Sequence, residues 1–209
     1  MIETTSSSLI PNIYPINTNG ILSQSVYDEI LIDFDGCRLC WAIDKQGQRE
    51  PVNQILYETD DYCLIPALGS IIPGYVLLVS KEHMNSCATL SEDVINSLES
   101  QLNQILKLLK IKFPNRNWIV FEQGSTVCSE TKGCCIDHLH LHIVPVGNTI
   151  ISDSVSKLAS TPKRLSSISD LPILLSNQNS HYLYFRDTND NNTVLTVEYP
   201  SQFVRKVKL

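Results

Sequence analysis

The residues best placed to do chemistry lie in "GCCIDHLHLHIVPV", 133–146, where His138, His140 and His142 occupy alternate positions. The chain of 209 residues carries five histidines, so three of them fall within one short run. Successive strand side chains point to opposite faces, so the three imidazoles share one side, about 7 Å from one to the next. Leu139, Leu141 and Ile143 then fill the other side, toward a core. A lone strand histidine is usually structural, but three on one face must each find a polar partner. Two chemistries want such a row. A metal can take alternate histidines as ligands. Alternatively, one imidazole attacks a phosphorus or carbonyl centre while its neighbours orient it and share protons.

A second group lies upstream. Cys37 and Cys40 form a C-x2-C pair, a common zinc chelate that still needs two more ligands; two ordinary thiols are the other reading. His83, at the end of "PGYVLLVSKEH", is the remaining histidine of the N-terminal two-thirds. Two cysteines, His83 and one of the three clustered histidines would make a closed tetrahedral site of the structural kind.

These residues need elements to position them. "SVYDEILIDF" places Val26, Ile30 and Phe34 at helical spacing, predicting a short amphipathic helix. "QILYETDDYCLIPAL" predicts two strands around Asp60 and Asp61, and "YVLLVS" a buried strand after the Pro73-Gly74 break. Ser91 can cap a helix running to about Lys110, with Val94, Leu98, Leu102, Ile105 and Leu109 inward. "NWIVFEQ" and "HLHLHIVPV" predict two more strands, joined by a loop over 124–133. The tail predicts a helical stretch, then "HYLYFRD" and "TVLTVEY" as a hairpin around "TNDNN". Strand clusters with one long helix indicate an α+β domain. Residues 1–22, rich in Ser, Thr, Asn and Pro, are expected to form an N-terminal arm, 23–150 the domain, and 151–209 a C-terminal extension packed on it.

Composition narrows the function. Apolar residues at 43% and charged ones at 18% are ordinary for a globular chain. A net charge of −6 argues against broad binding to nucleic acid or anionic membrane. No stretch approaches the roughly 18 apolar residues of a membrane span. "MIETTSSSLIPNIYPINTNG" lacks the basic and apolar regions of a secretory signal. Seven cysteines cannot all pair within the chain, so free thiols in a reducing cytoplasm are expected.

"HLHLHIV" fits the alternating His–apolar signature of the histidine-triad superfamily of nucleotide hydrolases and transferases, and the chain resembles that family over about 35–146. "PGYVLLVSKEH" is similar to its P-G-H-to-K-x-H stretch, and "CRLC" sits where many members carry a zinc-binding pair. The resemblance implies a five-stranded antiparallel sheet with two main helices, usually a homodimer through the long helix and an edge strand. It implies structural zinc on Cys37, Cys40, His83 and His138. It also implies His140 as the nucleophile at the α-phosphorus of a nucleotide conjugate, and His142 as the phosphate-binding partner. Gln123, Cys134 and Cys135 fall where relatives contact phosphate or leaving group. The sequence departs from the pattern at several positions. Cys134 and Cys135 replace Gln and Ser or Thr, Glu122 or Gln123 replaces Asn, Ala67 replaces the ribose-binding acid, and Tyr75 replaces a histidine. Arg186, Gln202 and Arg205 in the tail are further candidate phosphate or partner contacts, or else solvated residues of a final helix. The resemblance thus implies a nucleotide-conjugate hydrolase or transferase. The alternatives are a zinc-stabilised nucleotide-binding or adaptor protein with little turnover, and a metalloenzyme using all three histidines on a catalytic metal.

Overall fold

Period-two alternation of apolar residues builds the structure, a computed structural model that describes residues 36–44, 53–67, 73–127, 138–146 and 162–196. The expected helix over 25–34, the arm, Cys134, Cys135, Gln202 and Arg205 lie outside the described residues. A short helix α1 (Arg38–Ile43) precedes strands β1 (Tyr57–Glu58), β2 (Tyr62–Pro66) and β3 (Val76–Ser80). The long helix α2 (Glu92–Lys112) and strands β4 (Asn117–Ser125) and β5 (His140–Val146) follow. The tail adds β6 (Lys163–Leu165), a short helix α3 (Leu171–Leu175), β7 (His181–Arg186) and β8 (Asn192–Thr196). The eight described strands form one antiparallel sheet in the order β1-β2-β3-β5-β4-β7-β8-β6.

The α+β class holds, and the sheet is larger than five strands. β1 to β5 are the expected five; β7 pairs along the outer edge of β4, and β8 and β6 continue outward. The reason is in the tail itself, where Tyr182 and Tyr184 face one side and Leu183 and Phe185 the other, so β7 is buried on both faces. The tail's helical stretch is short, and Arg186 ends β7 instead of standing on a helix. Its guanidinium is bound to Asp190 at 2.8 Å and to Asn103 of α2 at 2.7 Å, which ties the hairpin to the long helix.

Each face of the sheet has its own core. On one, Leu98, Leu102, Ile105 and Leu109 of α2 pack on Leu64, Leu78, Leu141 and Ile143. Ile95 is buried beside them, and Val94, expected inward, is only partly covered. Truncating one such leucine to alanine costs roughly 2–5 kcal/mol. Ser91 occupies the N-cap without a side-chain bond; Glu92 and Asp93 in the first turn and Lys110 and Lys112 in the last complement the helix dipole. On the other face, Leu39 and Ala42 of α1 join Cys63, Ile65, Leu77, Val79, Phe121 and Val144. The three histidines belong to this second side.

One buried acid interrupts the α2 face. Glu122 on β4 accepts from the backbone N–H of Cys87 at 2.9 Å and the Tyr182 hydroxyl at 2.5 Å. Tyr182 reaches it by lying across Gly124, where any Cβ would overlap the phenol ring. Burial pushes the Glu122 carboxyl up to about 7, against the opposing pull of those two bonds. Its folded value therefore exceeds the ordinary 4.5, so its contribution to stability is full below about 4.5 and is lost as pH rises through 7. Glu122→Gln should flatten the stability-versus-pH curve in that window by on the order of 3 kcal/mol, read by urea denaturation at pH 5 and pH 7.5. Parallel curves for variant and wild type would show that Glu122 stays ionised throughout.

Candidate functional site

Alternation along β5 sends His140 and His142 to the α1 side and Leu141 and Ile143 to the α2 side. Pairing with β3 sets His142 opposite Leu77 and His140 opposite Val79, and pairing with β4 sets His142 opposite Phe121. The His142 ring, 6% exposed, stacks on Phe121 with centroids 4.3 Å apart and planes 10° apart. Its Nδ1 is 2.6 Å from the Tyr75 hydroxyl. The His140 ring stands 4.8 Å from that of His142. Its Nδ1 is 2.7 Å from the carbonyl oxygen of His138, and a carbonyl only accepts, so Nδ1 carries the proton and Nε2 the lone pair.

His138 does not share the strand with the other two. β5 begins at His140, and His138 lies before it. Its ring, 1% exposed, donates from Nε2 to the carbonyl of Ser80 at 2.8 Å, which turns Nδ1 toward the sulfurs of Cys37 at 3.2 Å and Cys40 at 3.3 Å. His83 completes the group: its Nδ1 is 3.3 Å from Cys40 Sγ, and its ring meets that of His138 edge-on at 5.0 Å. All four ligand atoms lie within 4.8 Å of one another. A tetrahedral ion with Zn–S and Zn–N bonds of about 2.3 and 2.0 Å needs ligand edges of roughly 3.3–3.8 Å, so the cluster fits such an ion with little movement.

The thiols are electrostatically unequal. Burial alone would raise Cys37, but the His138 ring and the Cys40 backbone N–H bring it down to about 6. Burial and the neighbouring Cys37 push Cys40 up to about 11. Without a cation the pair therefore holds one thiolate near neutrality, and a bound cation favours the second.

The remaining expected residues divide cleanly. Gln123 is two residues past Phe121 on β4, so strand alternation puts it on the histidine face, beyond the last β4–β5 pair, Phe121 with His142. Glu122 faces α2, so of the two it is Gln123 that shares the histidine face. Ala67 is buried on the histidine face and offers only a methyl group. The three histidines do not share one metal: among the described residues, the group able to hold an ion takes only His138 from the three. Sequence reasoning missed the Phe121 stack, the Tyr75 bond and the two carbonyls, of Ser80 and His138, that orient rings. Phe121 is two residues from Gln123 and so was readable as a same-face neighbour. Backbone acceptors leave no trace in residue types.

Residues 40–155, more than half of the chain, match the family described as scavenger mRNA decapping enzyme C-term binding. No curated protein matches the sequence. Among solved structures, a HIT family hydrolase from Clostridium thermocellum is 21% identical, covering 56% of this chain and 96% of its own, with a TM-score of 0.39. A yeast Ap4A phosphorylase, solved in complex with AMP, is 15% identical over 77% of this chain and 64% of its own, with a TM-score of 0.46. A hypothetical histidine triad nucleotide-binding protein from Sulfolobus tokodaii is 21% identical, covering 55% of this chain and 71% of its own, with a TM-score of 0.40. No described helix is long and apolar enough to cross a membrane.

Proposed function

The chain belongs to the scavenger mRNA decapping enzyme C-terminal family, within the histidine-triad superfamily, and from that premise we propose that it is a hydrolase or transferase acting at the α-phosphate of a nucleotide conjugate. A dinucleoside polyphosphate, a capped nucleotide and a nucleoside phosphoramidate are substrates of that class. The observation that carries the reading is the bond from His140 Nδ1 to the His138 carbonyl, which makes Nε2 the basic, nucleophilic nitrogen of a neutral ring. Nε2 of His140 attacks the α-phosphorus; a P–N bond forms as the bond to the leaving group breaks, and the leaving group departs with that electron pair. Water, or another acceptor, then displaces the imidazole and regenerates the ring. His142 donates to a non-bridging oxygen and holds the developing charge. Gln123, Cys134 and Cys135 contact the phosphate or the leaving group.

Cys37, Cys40, His83 and His138 would hold zinc, a structural ion that fixes the start of β5 and with it the direction of His140. The seven cysteines and this thiolate site favour a reducing cytoplasm. Residues 23–150 form the catalytic domain and 151–209 an extension of the same sheet, with 1–22 an arm. A second reading, a nucleotide-binding adaptor with little turnover, is favoured by Cys134 and Cys135 standing where relatives place stronger hydrogen-bonding groups.

Protein purified without chelators should carry about one zinc per chain, and Cys37→Ser should lose it together with several kcal/mol of stability. Metal analysis that finds none removes the zinc assignment. His140→Ala should abolish turnover of adenosine phosphoramidate or a dinucleoside polyphosphate by several orders of magnitude and keep zinc and fold. Intact-mass analysis should find a nucleotide attached to the wild type and to His142→Ala, and none on His140→Ala. Wild-type rates in His140→Ala would end the nucleophile assignment, and wild-type protein without turnover on any of these substrates would favour the adaptor.

The homodimer implied by the resemblance meets constraints here. β4 is paired on both edges, by β5 and β7, and the outward positions Asn103, Gln104 and Lys107 of α2 are polar and exposed. A second copy would therefore pair through the outer strands. Light scattering should give about twice the 23.5 kDa chain mass, and a monomer at micromolar concentration would reject the dimer.

A further inference from the structure

We propose that Tyr75 is a positioning residue for the reaction: its hydroxyl fixes the tautomer of His142 so that the neutral ring presents Nε2–H to the substrate phosphate. The inference rests on the reading of His142 as the phosphate-binding histidine.

The geometry is closed on three sides. Tyr75 is 3% exposed, and its hydroxyl meets His142 Nδ1 at 2.6 Å with the rings 5.7 Å apart and tilted by 56°. Phe121 holds the flat face of the imidazole, and His140 its edge. Turning the ring over while keeping the stack would set a carbon against the phenol and forfeit a buried hydrogen bond. The direction of that bond follows from acidity. A phenol is a far better proton donor than a neutral imidazole N–H, and the unprotonated imidazole nitrogen is a better acceptor than a phenol oxygen. Tyr75 therefore donates to Nδ1, and the single proton of the neutral ring sits on Nε2.

The alternative tautomer would aim a lone pair at the phosphate oxygens and repel them. Tyr75 thus supplies a donor without a positive charge, in a ring too buried to be charged without cost. Among the described residues, the titratable groups facing the His142 ring include Tyr75, from the segment before β3, and His140, on β5; Phe121 from β4 and Leu77 from β3 are apolar neighbours.

The test uses the full chain with nitrogen-15 histidine and long-range proton–nitrogen spectra. Wild type should show His142 with an unprotonated Nδ1 and a protonated Nε2, and Tyr75→Phe, which keeps the ring, should show a mixture of tautomers. On adenosine phosphoramidate, Tyr75→Phe should lower kcat about tenfold at pH 8 and leave KM little changed. A wild-type spectrum with the proton on Nδ1 overturns the inference without any variant, and so does a tautomer that Tyr75→Phe leaves unchanged. A kcat that Tyr75→Phe leaves unchanged also overturns it. If wild type turns over nothing, the spectra still read the tautomer, and it is the functional reading that fails.

Discussion

His138 is the residue on which the site depends, because it makes three directed bonds to three different parts of the chain. Its ring N–H holds the end of β3 through the Ser80 carbonyl, and its other nitrogen faces the cysteines of the α1 turn. Its own carbonyl takes the proton of His140 Nδ1. A single residue thus joins α1 to the sheet through its ring and sets the tautomer of the ring two residues on through its carbonyl. The backbone reinforces the junction: Leu139 donates to Met84 at 2.6 Å and accepts from Ser80 at 3.2 Å, so the two residues entering β5 are held on both sides.

The histidines of the row divide the labour through their surroundings and not through their identity. One faces sulfur, one a carbonyl, one a phenol and an aromatic stack. Each ring has one nitrogen committed to a different neighbour, which is how three like residues can take different parts at one pH. The same alternation separates Glu122 from Gln123. Adjacent on β4, one is a buried acid under α2 and the other falls on the histidine face.

Much of this was legible in residue types. The period-two row in 138–146, the helical spacing in 94–109 and the hairpin around "TNDNN" predicted β5, α2 and the β7–β8 pair, because each follows from one local rule. The C-x2-C pair, His83 and His138 meet as the resemblance implied. Three features were not legible. That His138 leaves the strand depends on the Ser80 carbonyl, a tertiary partner. That β7 lies against β4 depends on pairing across about sixty residues of chain, which no local pattern encodes. That Arg186 is engaged by Asp190 and Asn103 depends on where the hairpin lands relative to α2.

The placement of β7 also governs the order in which the structure can be completed. β4 carries the site's Phe121 and Gln123, and one of its two hydrogen-bonded edges is satisfied only by residues 181–186. During synthesis the whole of the histidine-bearing segment emerges before its last supporting strand exists. Until then β4 presents an open ladder of backbone donors and acceptors, a template that another nascent chain can match. The sheet's long-range pairings make its closure slow compared with formation of α2, so the interval is a real one. A boundary near 150 is a boundary in sequence motifs, but the protein crosses it to finish folding, and the histidine face is framed only once the tail has arrived.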